Sequence, residues 1–161
     1  MTELLLTIEL VPQTSWMNNV RAILTVKQWN ALRGTVSDKA WNVCQICGGV
    51  GPKHPVECHE IWEYNERKQI QKLTGMLALC PDCHQVKHFG LARVMGKADK
   101  ALKHLMKINS MKKKEAEAYV EEAFKTWKRR SALEWTLDLS HLKQYGVNTE
   151  TINKTKEQAK R

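Results

Sequence analysis

The sequence predicts an α+β fold in which a metal-binding module with short strands is flanked by α-helices. Cysteine, histidine, proline and glycine concentrate between residues 38 and 90, whereas apolar residues recur at helical spacing on both sides of that segment. The length of 161 residues is enough for one compact unit with a modest core. We therefore expect a single domain over residues 1–161.

The segment before the module is predicted to hold one strand and one helix. Leu4 to Val11 is apolar and partly β-branched, and the following proline ends it, which is typical of a strand. From Thr25 to Thr35, apolar residues recur at helical spacing behind Thr25, a residue type that favours the helix N-cap. Gly34 is expected to limit the length of this helix.

Two Cys-x-x-Cys pairs frame the module, and 32 residues lie between them, enough for a hairpin. The stretch Val56 to Tyr64 is aromatic and predicts one strand of that hairpin. Pro81 favours the first position of a helix. Four thiolates complete the tetrahedral coordination of Zn²⁺ and leave no open position, so we expect a structural zinc site. Its ligands would be Cys44, Cys47, Cys80 and Cys83.

The first ten residues carry acidic side chains and lack the basic start of a secretory signal. No apolar run approaches the roughly 20 residues that a membrane span needs. We therefore expect a cytoplasmic protein without membrane association, whose cysteines are reduced and act as metal ligands rather than as disulfides.

Three histidines are expected to meet beside the zinc site. His59 lies in the predicted strand, and His84 and His88 are four residues apart on the predicted helix, so they share one face. Imidazole titrates near neutrality and binds divalent metals, so these three histidines are a candidate catalytic or metal-binding site. His104 and His141 are expected to be surface or packing residues.

Residues 92–147 are predicted to form a helical region, with an Asn109-Ser110 cap signal between two amphipathic helices. The polar residues 148–161 are expected to form a mobile tail. The apolar stripes of the two helices are expected to pack in the core; they comprise Ala98, Ala101, Leu102, Leu105 and Ile108 in the first, and Ala116, Tyr119, Val120, Ala123, Phe124 and Trp127 in the second.

The chain is basic, with a formal net charge of +9 from 26 Lys and Arg against 17 Asp and Glu. Such a surface attracts polyanions and releases counterions when it meets phosphates, so nucleic acid is the expected partner. The candidate nucleic-acid contacts are Lys87, His88, Lys112, Lys113, Lys114, Arg129 and Arg130.

The segment from residue 41 to residue 91 resembles the HNH endonucleases. The motifs that carry the resemblance are Cys44-x-x-Cys47, a strand with His59, and Leu79-Cys80-Pro81-Asp82-Cys83-His84 followed by Lys87 and His88. The resemblance implies a ββα-metal core, treble-clef-like and of the His-Me finger type, braced by a four-cysteine zinc site. Flanking helices would complete the α+β domain.

The resemblance also implies an activity and roles for the histidines. The activity is metal-dependent hydrolysis of phosphodiester bonds in nucleic acid, with DNA as the expected substrate. His59 falls where the family keeps its general base, and His84 falls where it keeps a ligand for the catalytic ion, Mg²⁺ or another divalent metal. His88 would be a second ligand or a phosphate contact.

Two positions depart from the family pattern. Cys58 stands where the family usually has an aspartate ligand, and Gly75 stands where it usually has an asparagine. Glu57 or Glu60 could supply the carboxylate, and Asn65 is the candidate for the missing amide. The alternative function is a non-catalytic, zinc-stabilised module that binds nucleic acid or another protein. A Cys-x-x-Cys redox protein is disfavoured because no βαβ pattern surrounds either pair.

Overall fold

The computed structural model describes residues 3–150 and has a mixed α+β architecture, as predicted. Among these residues, no helix is both long and apolar enough to cross a membrane. The tail predicted to be mobile lies outside the described residues from position 151 onward.

The helices are α1 (Val20–Ile23), α2 (Val26–Lys39), α3 (Pro81–Lys87), α4 (Phe89–Val94), α5 (Ala98–Asn109) and α6 (Lys113–Ser131); the strands are β1 (Glu57–Asn65), β2 (Ile70–Leu79) and β3 (Thr136–Asp138); short 3₁₀ helices cover Gln13–Ser15 and Ser140–Tyr145.

The predicted hairpin lies between the two cysteine pairs. Strands β1 and β2 pair in antiparallel fashion, and β3 joins the other edge of β2 in parallel orientation. His59 lies opposite Leu77 near the end of the hairpin that leads into α3. Only Cys80 separates β2 from α3, so the strand that follows the hairpin turn delivers the helix histidines directly beside β1.

Helix α2 confirms the predicted cap and corrects the predicted end. The Gln28 N–H donates to Thr25 Oγ1 (3.1 Å) and the Thr25 N–H donates to Gln28 Oε1 (3.0 Å), which forms a capping box. The helix passes through Gly34 and ends at Lys39. Tertiary packing of its buried Leu32 and the next turn outweighs the low helix propensity of one glycine.

The strand predicted over Leu4–Val11 is wrong, because this segment has no regular secondary structure and pairs with no strand among the described residues. Helix side chains and the Lys87 carbonyl, which accepts from the Glu9 N–H (3.1 Å), bind its backbone instead. The Leu6 N–H donates to Asn109 Oδ1 and the Ile8 N–H donates to the Tyr119 hydroxyl, each at 2.9 Å. The Asn109 side chain therefore binds this segment. It does not cap the following helix, so the cap predicted at Asn109-Ser110 is wrong.

The C-terminal helices α5 and α6 form as predicted, and their apolar stripes are buried at Ala101, Leu105, Ala116 and Val120 and half-buried elsewhere. Helix α6 starts behind Lys112, whose side chain makes no capping hydrogen bond. One core cluster joins the N-terminal segment, the end of the hairpin and α3 to α6; its largest members include Leu6, Leu79, Val86, Phe89 and Leu105. A second cluster covers the other face of the hairpin and contains Val20, Leu24, Leu32, Leu73, Leu139 and Leu142.

Candidate metal centre

The four cysteines of the two pairs come together, as the sequence predicts, and could hold a metal ion such as zinc. Their sulfur atoms all lie within 4.8 Å of one another. The Sγ atoms of Cys47 and Cys80 are 3.6 Å apart. Two ligands at a Zn–S distance of about 2.3 Å on a tetrahedral ion are separated by about 3.8 Å, whereas a disulfide would place the sulfurs about 2 Å apart. The observed separation matches the metal site.

Backbone N–H groups point at the sulfurs in both knuckles. The Cys47 N–H lies 3.5 Å from Cys44 Sγ, and the Cys83 N–H lies 3.5 Å from Cys80 Sγ. Gly48 adopts φ +75°, a left-handed conformation that turns the first knuckle and that glycine adopts without steric cost. These dipoles favour thiolates over thiols.

The pKa values of the clustered thiols favour a bound cation. Burial opposes ionisation of Cys44, but the surrounding N–H groups outweigh it and lower its pKa to about 7. Burial and the neighbouring thiolates raise the pKa of Cys80 to about 11 and raise that of Cys83 further. Without a cation these shifts disfavour four thiolates at once, and a zinc ion would supply the compensating positive charge.

His104 is a neighbour of the cluster that the sequence did not single out. Its Nε2 lies 3.2 Å from Cys83 Sγ, within hydrogen-bond reach. An N–H donated to a metal-bound thiolate orients the ligand and tunes its charge. The sequence around His104 gave no sign of this contact, because His104 and Cys83 come together only when α5 packs on α3.

Three imidazoles meet beside this cluster. His59 from β1 and His84 and His88 from α3 and its C-terminus each offer a nitrogen within 4.8 Å of the other two. The Nε2 atoms of His84 and His88 are 3.1 Å apart. Two nitrogens on one tetrahedral ion at about 2.05 Å are separated by about 3.3 Å. The helix pair is therefore spaced for one metal ion.

Burial keeps the helix imidazoles in the form that binds metal. Burial and the neighbouring histidine rings lower the pKa of His84, and they lower that of His88 to about 3. Both rings are neutral at pH 7 and retain a lone pair for a metal. His59 is 2% exposed, and its Nδ1 is buried without a hydrogen-bond partner among residues 3–150. A buried polar atom of this kind calls for a ligand.

Glu9 reaches this site from the N-terminal segment, and the sequence analysis missed it. Its Oε1 lies 3.4 Å from His59 Nε2, while its Oε2 accepts a hydrogen bond from the Lys87 ammonium. That ammonium also donates to Thr7 Oγ1 (2.7 Å). Burial opposes ionisation of Glu9, but the contacts to His59 and Lys87 prevail and lower its pKa to about 2. An acidic residue inside an otherwise apolar stretch was the available signal.

Lys87 is 4% exposed, so its charge lies inside the protein and not at the surface. Since Glu9 and Thr7 occupy its three-donor ammonium, this placement favours a structural role over the phosphate contact expected from the sequence.

Of the two carboxylate candidates, only Glu57 lies at the imidazole site. Its Oε2 is 3.4 Å from His84 Nδ1. The Glu60 carboxylate faces α1 instead, where it accepts hydrogen bonds from the Val20 N–H (2.7 Å) and the Trp62 indole N–H (3.1 Å). Successive side chains of β1 alternate between faces, which separates the two glutamates.

The residues at the departures from the family pattern do not reach the imidazoles. Cys58 lies on the opposite face with its Sγ 4.0 Å from Met76 Sδ, and burial raises its pKa to about 12. Gly75 pairs with Ile61 beside a β-bulge. Asn65 accepts a hydrogen bond from the Lys68 N–H in the hairpin turn.

The predicted basic contacts differ in their availability. The Arg129 guanidinium binds Glu66 through two hydrogen bonds of 2.7 and 3.2 Å. Arg130 lies over the Tyr64 ring, 4.6 Å from its centroid, and contacts Glu66 at 3.9 Å. The lysines 112–114 are exposed at the start of α6. Glu66 thus partly neutralises the arginine pair, and the lysine cluster is open to solvent.

No protein-family model, no curated protein and no solved structure matches this chain. Its function is therefore inferred from the geometry of the two clusters and from the chemistry of their side chains.

Proposed function

We propose that the protein is a metal-dependent endonuclease of the HNH type that hydrolyses phosphodiester bonds in nucleic acid, with DNA as the expected substrate. The supporting observation is the convergence of His59, His84 and His88 beside a four-cysteine cluster, on a strand–strand–helix unit. This order of elements agrees with the ββα-metal core that the sequence resemblance implies. The basic charge of the chain suits a polyanionic substrate.

In this proposal the four-cysteine cluster holds a structural zinc ion. Its thiolates fill a tetrahedral shell and leave no position for water or substrate. The ion ties the knuckle before β1 to the start of α3, and this clamp fixes the strand that carries His59 against the helix that carries His84.

The catalytic divalent ion would bind to His84 and His88. Glu57 contacts Nδ1 of His84, which fixes the ring and leaves Nε2 for the metal. Two protein nitrogens leave positions for water and for phosphate oxygens. His84 and His88 would hold this ion, which would supply stabilisation of the charge that grows on the leaving oxygen. Imidazole ligands suit Ni²⁺ or Zn²⁺ better than they suit Mg²⁺.

His59 would act as the general base. Glu9 contacts its Nε2, as a carboxylate does that orients a catalytic imidazole and stabilises the imidazolium formed during proton transfer. The other nitrogen is buried and has no hydrogen-bond partner among residues 3–150, so in this proposal the attacking water would have to enter the buried site to reach it. A competing role is that of a third metal ligand, which the 4.8 Å spacing of the three nitrogens also supports.

A nicking assay on supercoiled plasmid tests the proposal, using zinc-loaded protein with Mg²⁺, Mn²⁺, Ni²⁺ or Zn²⁺ added singly. Loss of metal-dependent nicking in His59→Ala, with activity retained in the distant His141→Ala control, supports the nuclease. Titration of the His59→Ala protein with the second metal separates the two roles of His59. If His59 is the general base, the variant keeps its metal affinity; if His59 is a metal ligand, the variant loses it. Folded wild-type protein that cuts with none of these metals refutes the nuclease and favours the binding module.

A further inference from the structure

A cleft lies between α2 and the beginning of β1 and opens on His84. Its volume is about 620 Å³, within the range of about 300–1,000 Å³ that is typical of ligand sites. Arg21, Trp29 and Arg33 line one wall, and Glu57 and His84 line the other. The cleft thus joins the proposed metal site to a surface that the HNH-like segment does not contain.

The α2 wall of the cleft is one continuous helix face. Val26, Trp29, Asn30, Arg33 and Ser37 all line the cleft, and their spacing of three or four residues places them in one stripe. The opposite stripe packs into the core, and Trp29 is half-buried against the second core cluster while its remaining surface lines the cleft. One face of α2, which combines an arginine and a tryptophan with a valine and two polar residues, therefore lines the cleft.

The two arginines of the cleft carry charge that no carboxylate neutralises. Both are exposed, and within residues 3–150 neither forms an ion pair. Arg33 Nε donates only to the Asn30 side chain (3.0 Å). The Glu57 carboxylate across the cleft contacts His54 at 3.7 Å and His84 at 3.4 Å. Two guanidinium groups are thus free to bind anions beside the metal site.

We infer that this cleft binds a single strand of nucleic acid, with Arg21 and Arg33 on backbone phosphates and Trp29 stacked on an unpaired base. Alternation of cationic and aromatic side chains is the chemistry by which proteins bind single strands. The side chains of α2 line a cleft that they share with the beginning of β1, whereas a helix that reads duplex DNA presents its side chains to the major groove. The inference relies on the proposed function to place the scissile phosphate at His84.

Fluorescence anisotropy with a labelled 12-nucleotide single strand tests this inference, with zinc-loaded protein and no added catalytic metal. The double variant Arg21→Gln/Arg33→Gln should bind at least tenfold more weakly. Its dependence of log K on log salt should be shallower by about 1.4, because each phosphate contact on a single strand contributes about 0.7. Trp29→Leu should bind about tenfold more weakly with an unchanged salt slope.

The matched control is Arg67→Gln/Lys68→Gln, which removes the same charge at the exposed turn at the far end of the hairpin. It should bind within about twofold of the parent protein. Circular dichroism of every variant checks that α2 is intact. The Arg21→Gln/Arg33→Gln variant decides the test, because both side chains are exposed and their replacement should leave the fold unchanged.

Unchanged affinity and salt slope in the Arg21→Gln/Arg33→Gln variant would overturn the inference, and so would tighter binding to the duplex of the same sequence. Because binding is measured without cleavage, the two proposals fail separately. Arginine-dependent binding without any metal-dependent cutting refutes only the nuclease. Cutting that survives loss of both arginines, with unchanged binding, refutes only the cleft.

Discussion

Replacement of Glu9 by glutamine is expected to destabilise the protein through the buried Lys87. Glu9 is the carboxylate that contacts this ammonium, and the lysine is 4% exposed. Glutamine keeps the shape and one hydrogen-bond acceptor but removes the negative charge. The variant therefore leaves a buried cation without its counterion.

The magnitude follows from the pKa of Glu9. A folded-state pKa of about 2, against an ordinary value of 4.5, corresponds to about 3 kcal/mol at 1.36 kcal/mol per pKa unit, a total that the contacts of Glu9 to His59 and to Lys87 share. Removal of one partner from a buried ion pair typically costs about 3–5 kcal/mol. Since the Glu9 side chain is 29% exposed, solvent screens part of the interaction. We expect a loss of about 2–3 kcal/mol at pH 7.

The pH dependence has a definite sign. Because the pKa of Glu9 is depressed in the folded state, its contribution is complete above pH 4.5 and is lost as the pH falls from 4.5 towards 2. The stability difference between the parent protein and Glu9→Gln should therefore be constant from pH 7 down to about 5 and shrink below 4.5. Protonation of the zinc ligands affects both proteins alike and cancels in that difference.

Urea unfolding of zinc-loaded protein, followed by circular dichroism, measures these quantities. Glu3→Gln removes an exposed carboxylate from the same segment and should change stability by less than about 0.5 kcal/mol. Adding Lys87→Met to Glu9→Gln removes the stranded charge and should recover part of the loss. A Glu9→Gln variant as stable as the Glu3→Gln control, or strict additivity with Lys87→Met, would refute the reasoning.

The remaining predictions concern the zinc site and two glycines. Cys44→Ser should abolish zinc binding and lower the melting temperature, whereas Cys58→Ala should retain one structural zinc by elemental analysis. Gly34→Ala should raise the free energy of unfolding by about 0.5–1 kcal/mol, because a Cβ meets nothing within 4 Å there. Gly51→Ala should lower it by more than 1 kcal/mol, since its Cβ would clash with the His54 carbonyl oxygen and lie 2.7 Å from the Pro81 ring. A melting temperature of Gly34→Ala no higher than that of the parent protein would contradict the first expectation, and an unchanged melting temperature of Gly51→Ala would contradict the second.

Local signals predicted the elements that carry the site. Thr25 with Gln28, and Pro81 behind Cys80, mark the starts of α2 and α3, because caps act over three or four residues of sequence. The cysteine spacing likewise predicted the four-sulfur cluster, since the ligand pairs of a metal site are local even when the site is not.

The errors arose where distant partners replaced local ones. The apolar and β-branched stretch at Leu4–Val11 has strand character, yet its backbone bonds to the side chains of Asn109 and Tyr119 and to the Lys87 carbonyl rather than to a strand. Gly34 was expected to end α2, yet packing of the helix against the hairpin carries it on to Lys39. Propensity is a weak prior that tertiary contacts override.

The sequence by itself determined the chemistry available to this protein: two cysteine pairs, three histidines brought near them, and a basic charge. Only the tertiary structure decided which side chains surround that chemistry. It brings Glu9 to His59, turns Glu60 away while Glu57 stays, encloses Lys87, and sets the arginine face of α2 across a cleft from His84. The physical reason is that ligand spacing is encoded over a few residues, whereas the orientation of a neighbouring helix or segment depends on the burial of apolar surface across the whole fold.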